Sequence, residues 1–276
     1  MRGRPLADPW RRERRRQPEP SPFPSPFPAC DYPPDPYPGA RPGVSFVELD
    51  GLAWVVRPVP GGWTVDGTSD RTRDGTRDGT RDGTADGGLA GGEALDGWLA
   101  AHGVPPLAGR VPLLAYGSNA CPGKLDWLRE VYGLSGPAVV IEAEVRDAAA
   151  VWSAGHRMRD GQRPAILVAA PGIIERHAVW LATADQVAVL DRVEGRGERH
   201  RLAWVHTPVR LDGGTALDRV LAYLAIPGTH GLPPQRNRSP LLVGGRFVRV
   251  AELPQHDAHL LTGTAAATDG LLTTPA

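Results

Sequence analysis

The chain has 276 residues, with 31 basic and 31 acidic side chains. That is long enough for a real core, and no net charge draws it to nucleic acid or a membrane surface. Cys30 and Cys121 are the only cysteines. Two are too few for a disulfide framework, so a reducing cytoplasm is the default setting. No apolar run approaches the ~20 residues needed to span a bilayer, and the basic N-terminus is not followed by the apolar stretch of a secretory signal. Lys124 is the single lysine, which together with abundant Ala, Gly and Pro reads as coding bias in a GC-rich genome.

Residues 1–42 are arginine-rich and then proline-rich. Proline fixes φ and removes a donor, so this part reads as a disordered tail with polyproline II character. Residues 43–66 read as a short hairpin-like flap, with turns at Asp50-Gly51 and Pro60-Gly61-Gly62. Residues 67–92 contain the repeat R-D-G-T and read as a low-complexity linker. Residues 93–262 are the patterned domain. Glu93 to His102 has a one-sided helical pattern ended by Gly103. Val139, Ile141, Ala143 and Val145 alternate with Glu142 and Glu144, as in a half-buried strand. Further short strands are expected at Ala149–Ser153, Pro164–Ala170 and Arg176–Ala182, with a turn at Pro171-Gly172. A helix from Thr183 to Val193 precedes strands at Arg201–Arg210 and Arg219–Ile226, then a Gly/Pro/Arg loop from Gly228 to Arg238. Residues 263–276 read as a flexible tail. Many strands and few helices, not in strict alternation, imply an α+β fold with a mixed sheet.

Two places carry chemistry. The first is V-P-L-L-A-Y-G-S-N at Val111–Asn119, followed by a helical pattern with Pro122 near its start. A strand that breaks at Gly117 and feeds a helix N-terminus collects free backbone N–H groups, which favour an anionic ligand. The second is Glu194. Thr183 and Gln186 match a capping box, and continuing the face of Val187 and Leu190 by four residues reaches Glu194, just before Gly195. A carboxylate there is disfavoured in its ionised form by desolvation and by the helix dipole, the way a general acid/base is poised. The plainer alternative is a solvated side chain at a frayed helix end, paired with Arg192 or Arg196.

Together, Y-G-S-N at 116–119 and, after the strand A-V-W-L-A, L-D-R-V-E-G at 190–195 resemble the γ-glutamylcyclotransferase-like family, over roughly residues 110–262. The resemblance implies a mixed, β-barrel-like sheet with flanking helices. It also implies a reaction in which the α-amine of a γ-glutamyl group attacks its own γ-carbonyl, giving 5-oxoproline and releasing the attached amine or amino acid. In that reading Glu194 moves the proton, and the loop of Tyr116, Gly117, Ser118, Asn119 and Ala120 holds the substrate α-carboxylate. Tyr223, in a strand resembling the family's late strand, and His200 line the site. The partner is a small γ-glutamyl molecule, with no cofactor, metal, nucleic acid or membrane required. The family's tyrosine after E-G is missing here, with His200 near its place, and Pro233-Pro234-Gln235-Arg236-Asn237 lacks the tyrosine of the family's late segment. His200 is either a second titrating group or a structural histidine. Arg236 and Arg238 either meet an acidic leaving group or solvate a surface. Cys121 reads as a small buried residue, and the His256/His259 pair lacks the further ligands of a metal site.

Overall fold

The computed structural model describes residues 23–68, 92–226 and 238–276. The expectations for residues 1–22, for most of the R-D-G-T linker and for Arg236 fall outside those residues. The described chain begins with β1 (Phe27–Pro28) and a 3-10 turn at Ala29–Asp31. A meander follows: β2 (Phe46–Leu49), β3 (Leu52–Val59) and β4 (Gly62–Val65). Asp50 and Gly51 both take positive φ, 49° and 79°, as a two-residue turn between twisted antiparallel strands requires. Next come β5 (Glu93–Ala94), α1 (Leu95–Ala101), β6 (Val111–Ala115), α2 (Pro122–Tyr132), β7 (Ala138–Trp152), β8 (Ala165–Ala182) and α3 (Ala184–Glu194). The chain ends with β9 (His200–Val205), β10 (Val209–Leu211), β11 (Ala216–Leu217), β12 (Val220–Ala225), β13 (Leu241–Val243), β14 (Arg246–Phe247), α4 (Gln255–Ala258), β15 (Thr264–Ala265) and β16 (Thr273–Pro275). No helix among the described residues is long and apolar enough to cross a membrane.

The expected α+β architecture with a mixed sheet is present. The main sheet runs β16-β9-β12-β6-β8-β7-β2-β3-β4-β5, with β10 sharing the β7 edge beside β2. Central β6 is parallel to β12 and antiparallel to β8. Among the described residues no pairing joins the two ends of this order, so the strand pairings do not close the expected barrel. Both faces of the middle strands are covered. Val139, Ile141 and Val179 pack with α1 residues Trp98 and Leu99, while Val140, Trp180 and Leu221 pack with Leu125 and Leu128 of α2 and Leu190 of α3. The half-buried alternation expected for residues 139–145 is therefore wrong for Glu142, which is buried and held by Arg176 at 3.3 Å.

Four expectations about boundaries are corrected. Residues 23–42 are not a free tail: Phe27, Ala29 and Tyr37 are buried, and Phe27 stacks edge-on against Phe23, Tyr32 and Phe46. Aromatic burial outweighs the inability of proline-rich backbone to form regular structure. Residues 43–66 are part of the main sheet, since β2 pairs with both β3 and β7. Pro171-Gly172 is not a turn between strands. It is a bulge inside β8, where Asp147 (φ 60°) faces residues 170–173 and its Oδ1 accepts from the Gly172 amide at 2.6 Å. Finally, β16 in the expected flexible tail pairs antiparallel with β9.

Candidate active site

The sheet topology brings the two sequence motifs together. β8 is antiparallel to β6, with Ala182 opposite Val111, so β8 ends where β6 begins. α3 starts there and runs back for 11 residues, about 16 Å at 1.5 Å per residue. Its C-terminus thus arrives where β6 ends. β12 is parallel to β6 and ends on the same side, delivering Tyr223, Ala225 and Ile226.

The loop after β6 is a 3-10 turn at Ser118–Ala120, closed by the Cys121 amide donating to the Ser118 carbonyl at 3.0 Å. Pro122 then occupies the first turn of α2. The amides at the start of such a turn have no intrahelical acceptor. Gly117 is required by a close approach: a Cβ there would lie 2.7 Å from the Tyr37 Oη. The Arg41 guanidinium donates to the Gly117 carbonyl, so the N-terminal segment clamps the loop from outside.

α3 is capped as its sequence specifies. The Gln186 amide donates to Thr183 Oγ1 at 3.3 Å, and the Thr183 amide donates to Gln186 Oε1 at 3.2 Å. Gly195 closes the helix in the left-handed region at φ 62°. Glu194 is not the solvated partner of Arg192 or Arg196: Arg192 donates to the Tyr132 carbonyl, and Arg196 pairs with Asp191 at 3.1 Å. Instead, Glu194 Oε1 accepts from Asn119 Nδ2 at 3.0 Å. His200 Nδ1 lies 2.8 Å from the Glu194 carbonyl oxygen and 3.5 Å from Oε2. Burial lowers the proton affinity of His200, with the Glu194 charge opposing. Asn119 Oδ1 is buried with no partner, so the site holds an orphaned acceptor beside the carboxylate.

These groups line a cavity of about 660 Å³. Of the expected site residues, Tyr116, Gly117, Ser118, Asn119, Glu194, His200 and Tyr223 line it. Ala120 does not; it is buried in the core with Leu125 and Leu128 of α2. The two tyrosine hydroxyls are engaged within the protein. Tyr116 Oη donates to the Tyr223 carbonyl, and Tyr223 Oη donates to Asp191 Oδ1 at 2.7 Å. What remains for a ligand is their ring surface. Burial pushes both phenols well up, so both are neutral donors at physiological pH.

Other wall residues, Arg238 excepted, carried no signal in the sequence. Tyr37 comes from the segment expected to be tail; its Oη accepts from the Ala165 amide at 3.1 Å and its phenol is pushed up by burial. Arg157 and Arg159, between β7 and β8, share Asp160. Arg238 and Lys124 complete the basic walls. Cys121 is buried, donates to the Tyr32 carbonyl at 3.1 Å, and has its thiol pushed up by burial, which suits a structural residue rather than a nucleophile.

Fold and site together define an α+β protein with a basic cavity at the C-terminal ends of two parallel strands and one carboxylate against an amide-bearing loop. No protein-family model and no curated protein sequence matches the chain. Similar solved structures include a gamma-glutamyl cyclotransferase, at 20% identity and TM-score 0.34 over 42% of this chain and 66% of the other. An uncharacterized protein from Homo sapiens aligns at 19% identity and TM-score 0.34, over 43% and 68%. A protein from Arabidopsis thaliana aligns at 16% identity and TM-score 0.31, over 43% and 70%. The match thus spans about two thirds of the length of these structures and less than half of this chain.

Proposed function

We propose that the protein cyclises a γ-glutamyl group to 5-oxoproline and releases the attached amine or amino acid. The observation that carries this reading is the Asn119–Glu194 hydrogen bond, which joins the loop and the carboxylate within one cavity. The substrate α-carboxylate takes the amides of Gly117–Asn119. Its α-ammonium lies against Glu194 and the unpartnered Asn119 Oδ1, whose orientation is set because Nδ2 must donate to the carboxylate. Glu194 removes a proton from the ammonium. The amine nitrogen then attacks the γ-carbonyl carbon, forming the ring C–N bond. Glu194 delivers that proton to the departing nitrogen as the original amide C–N bond breaks; the ring nitrogen then gives up its second surplus proton through Glu194 to the released amine, which leaves as an ammonium. Nucleophile and electrophile belong to one molecule, so orientation supplies much of the rate. Proton transfer through Glu194 contributes about 10²- to 10⁴-fold.

The test offers a panel of γ-glutamyl compounds and measures 5-oxoproline. Turnover by wild type that falls by about two orders of magnitude or more in Glu194→Gln, at unchanged melting temperature, supports the assignment. Equal rates in the two proteins sink the role of Glu194. Binding without turnover by any panel member favours a non-catalytic small-molecule module on the same fold.

A further inference from the structure

Lys124 is an expensive residue for this fold to keep. It is the only lysine of the chain, it is 8% exposed, and it lines the cavity. It sits in the first turn of α2, where the helix dipole disfavours positive charge. Among the described residues its ammonium has no hydrogen bond or ion pair; it lies over the Trp127 ring, 3.6 Å from the centroid. A ring face attracts a cation but does not neutralise it. Glu194 is near enough to favour its charged form, while Arg157 and Arg159 oppose it. Burial dominates, and the ammonium is lowered to about 8.

The cavity volume is in the range that encloses a drug-sized ligand, well beyond a γ-glutamyl group alone. The attached group therefore resides inside, against the walls. Those walls carry Lys124, Arg157, Arg159, Arg199 and Arg238 against the acids Glu194 and Glu198. Asp160 neutralises part of the Arg157 and Arg159 charge, but nothing on the described chain pairs with Lys124. One substrate α-carboxylate on the loop amides leaves that cation unanswered.

We infer that the group released from the γ-glutamyl moiety carries a negative charge, carboxylate or phosphate, and that Lys124 is the residue that reads it. This rests on the cyclisation reading of the same cavity. Neutral amines leave Lys124 desolvated and unpaired, and cationic amines are repelled.

The experiment compares matched γ-glutamyl amides of glycine, ethylamine, ethylenediamine and aminoethyl phosphate. In wild type, kcat/KM for the glycine or phosphate compound exceeds that for the ethylamide by about 10- to 100-fold. That ratio collapses towards one in Lys124→Met and survives within a few-fold in Lys124→Arg. Calorimetry in buffers of differing ionisation enthalpy reads a second signature. At pH 8 wild type takes up about half a proton more per bound glycine compound than Lys124→Met does. The charged groups facing Lys124 in that measurement are Glu194 from α3 and Arg157 and Arg159 from the β7–β8 connection, and the titratable Cys121 thiol of its own turn is held neutral by burial. The ratio of kcat/KM between the glycine and phosphate compounds separates carboxylate from phosphate as the group held. Turnover without charge preference overturns this inference and leaves the cyclisation reading standing. Equal losses for every compound in Lys124→Met assign the lysine to the α-carboxylate and also overturn it. Charge-dependent binding with no 5-oxoproline from any compound does the reverse: it removes the reaction and retains Lys124 as the anion reader. Absence of any binding overturns both.

Discussion

Replacing Lys124 by methionine is expected to stabilise the free protein. The lowering of this ammonium from 10.5 to about 8 corresponds to about 3 kcal/mol against the charged form inside the fold. Methionine keeps the apolar stem against Trp127 without the charge, so the variant gains about 3 kcal/mol at pH 7, the cation–ring attraction being already part of what sets the lysine's proton affinity. The pH dependence fixes the cause. Between pH 8 and 10.5 the unfolded chain still holds the lysine proton that the folded chain has lost, so wild-type stability rises through that window. The advantage of Lys124→Met should therefore be full below pH 8 and vanish by pH 10.5. Urea unfolding at pH 7, 9 and 10.5 measures it directly. A variant less stable than wild type at pH 7, or a gain that does not shrink as pH rises, refutes the reasoning that Lys124 is an unpaired, desolvated cation.

Phe27→Ala should cost about 3–5 kcal/mol in unfolding free energy, because Phe27 is buried among Phe23, Tyr32 and Phe46; a cost near zero would return residues 23–42 to the status of a tail. Arg129→Leu should cost about 3–5 kcal/mol, since it strands the fully buried Glu48 carboxylate that Arg129 holds at 2.9 Å. The double variant Arg129→Leu with Glu48→Leu should recover much of that in the same urea titration, and no recovery would refute the pairing as the cause. Gly117→Ala drives a methyl to 2.7 Å from the Tyr37 Oη, costing about 1–3 kcal/mol and any ligand binding that depends on the loop. Adding Tyr37→Phe should relieve part of the loss in thermal melts; a double variant no better than Gly117→Ala would place the strain elsewhere.

The chain's own neighbours determined the parts that obey short-range rules. The capping box at Thr183 and Gln186, the left-handed stop at Gly195 and the break of β6 into a helix start each follow from residues within a few positions. Periodicity alone therefore put Glu194 at a helix end and free amides after Tyr116. Tertiary structure decided whether those two features meet: Asn119 and Glu194 are 75 residues apart, and only the antiparallel β6–β8 pairing with α3 running back brings them to one cavity. It also decided what else lines that cavity. Tyr37 and Arg41 come from a stretch whose proline content hides it, since its order derives from aromatic burial and from a few turn and bridging hydrogen bonds rather than from a periodic helix or a long strand. Lys124 stood out in the sequence only as the single lysine, because a side chain's desolvation and the absence of a counter-charge are properties of packing. The sequence by itself settled where the chain could turn, cap and present a carboxylate; packing settled which charges were buried and left without partners.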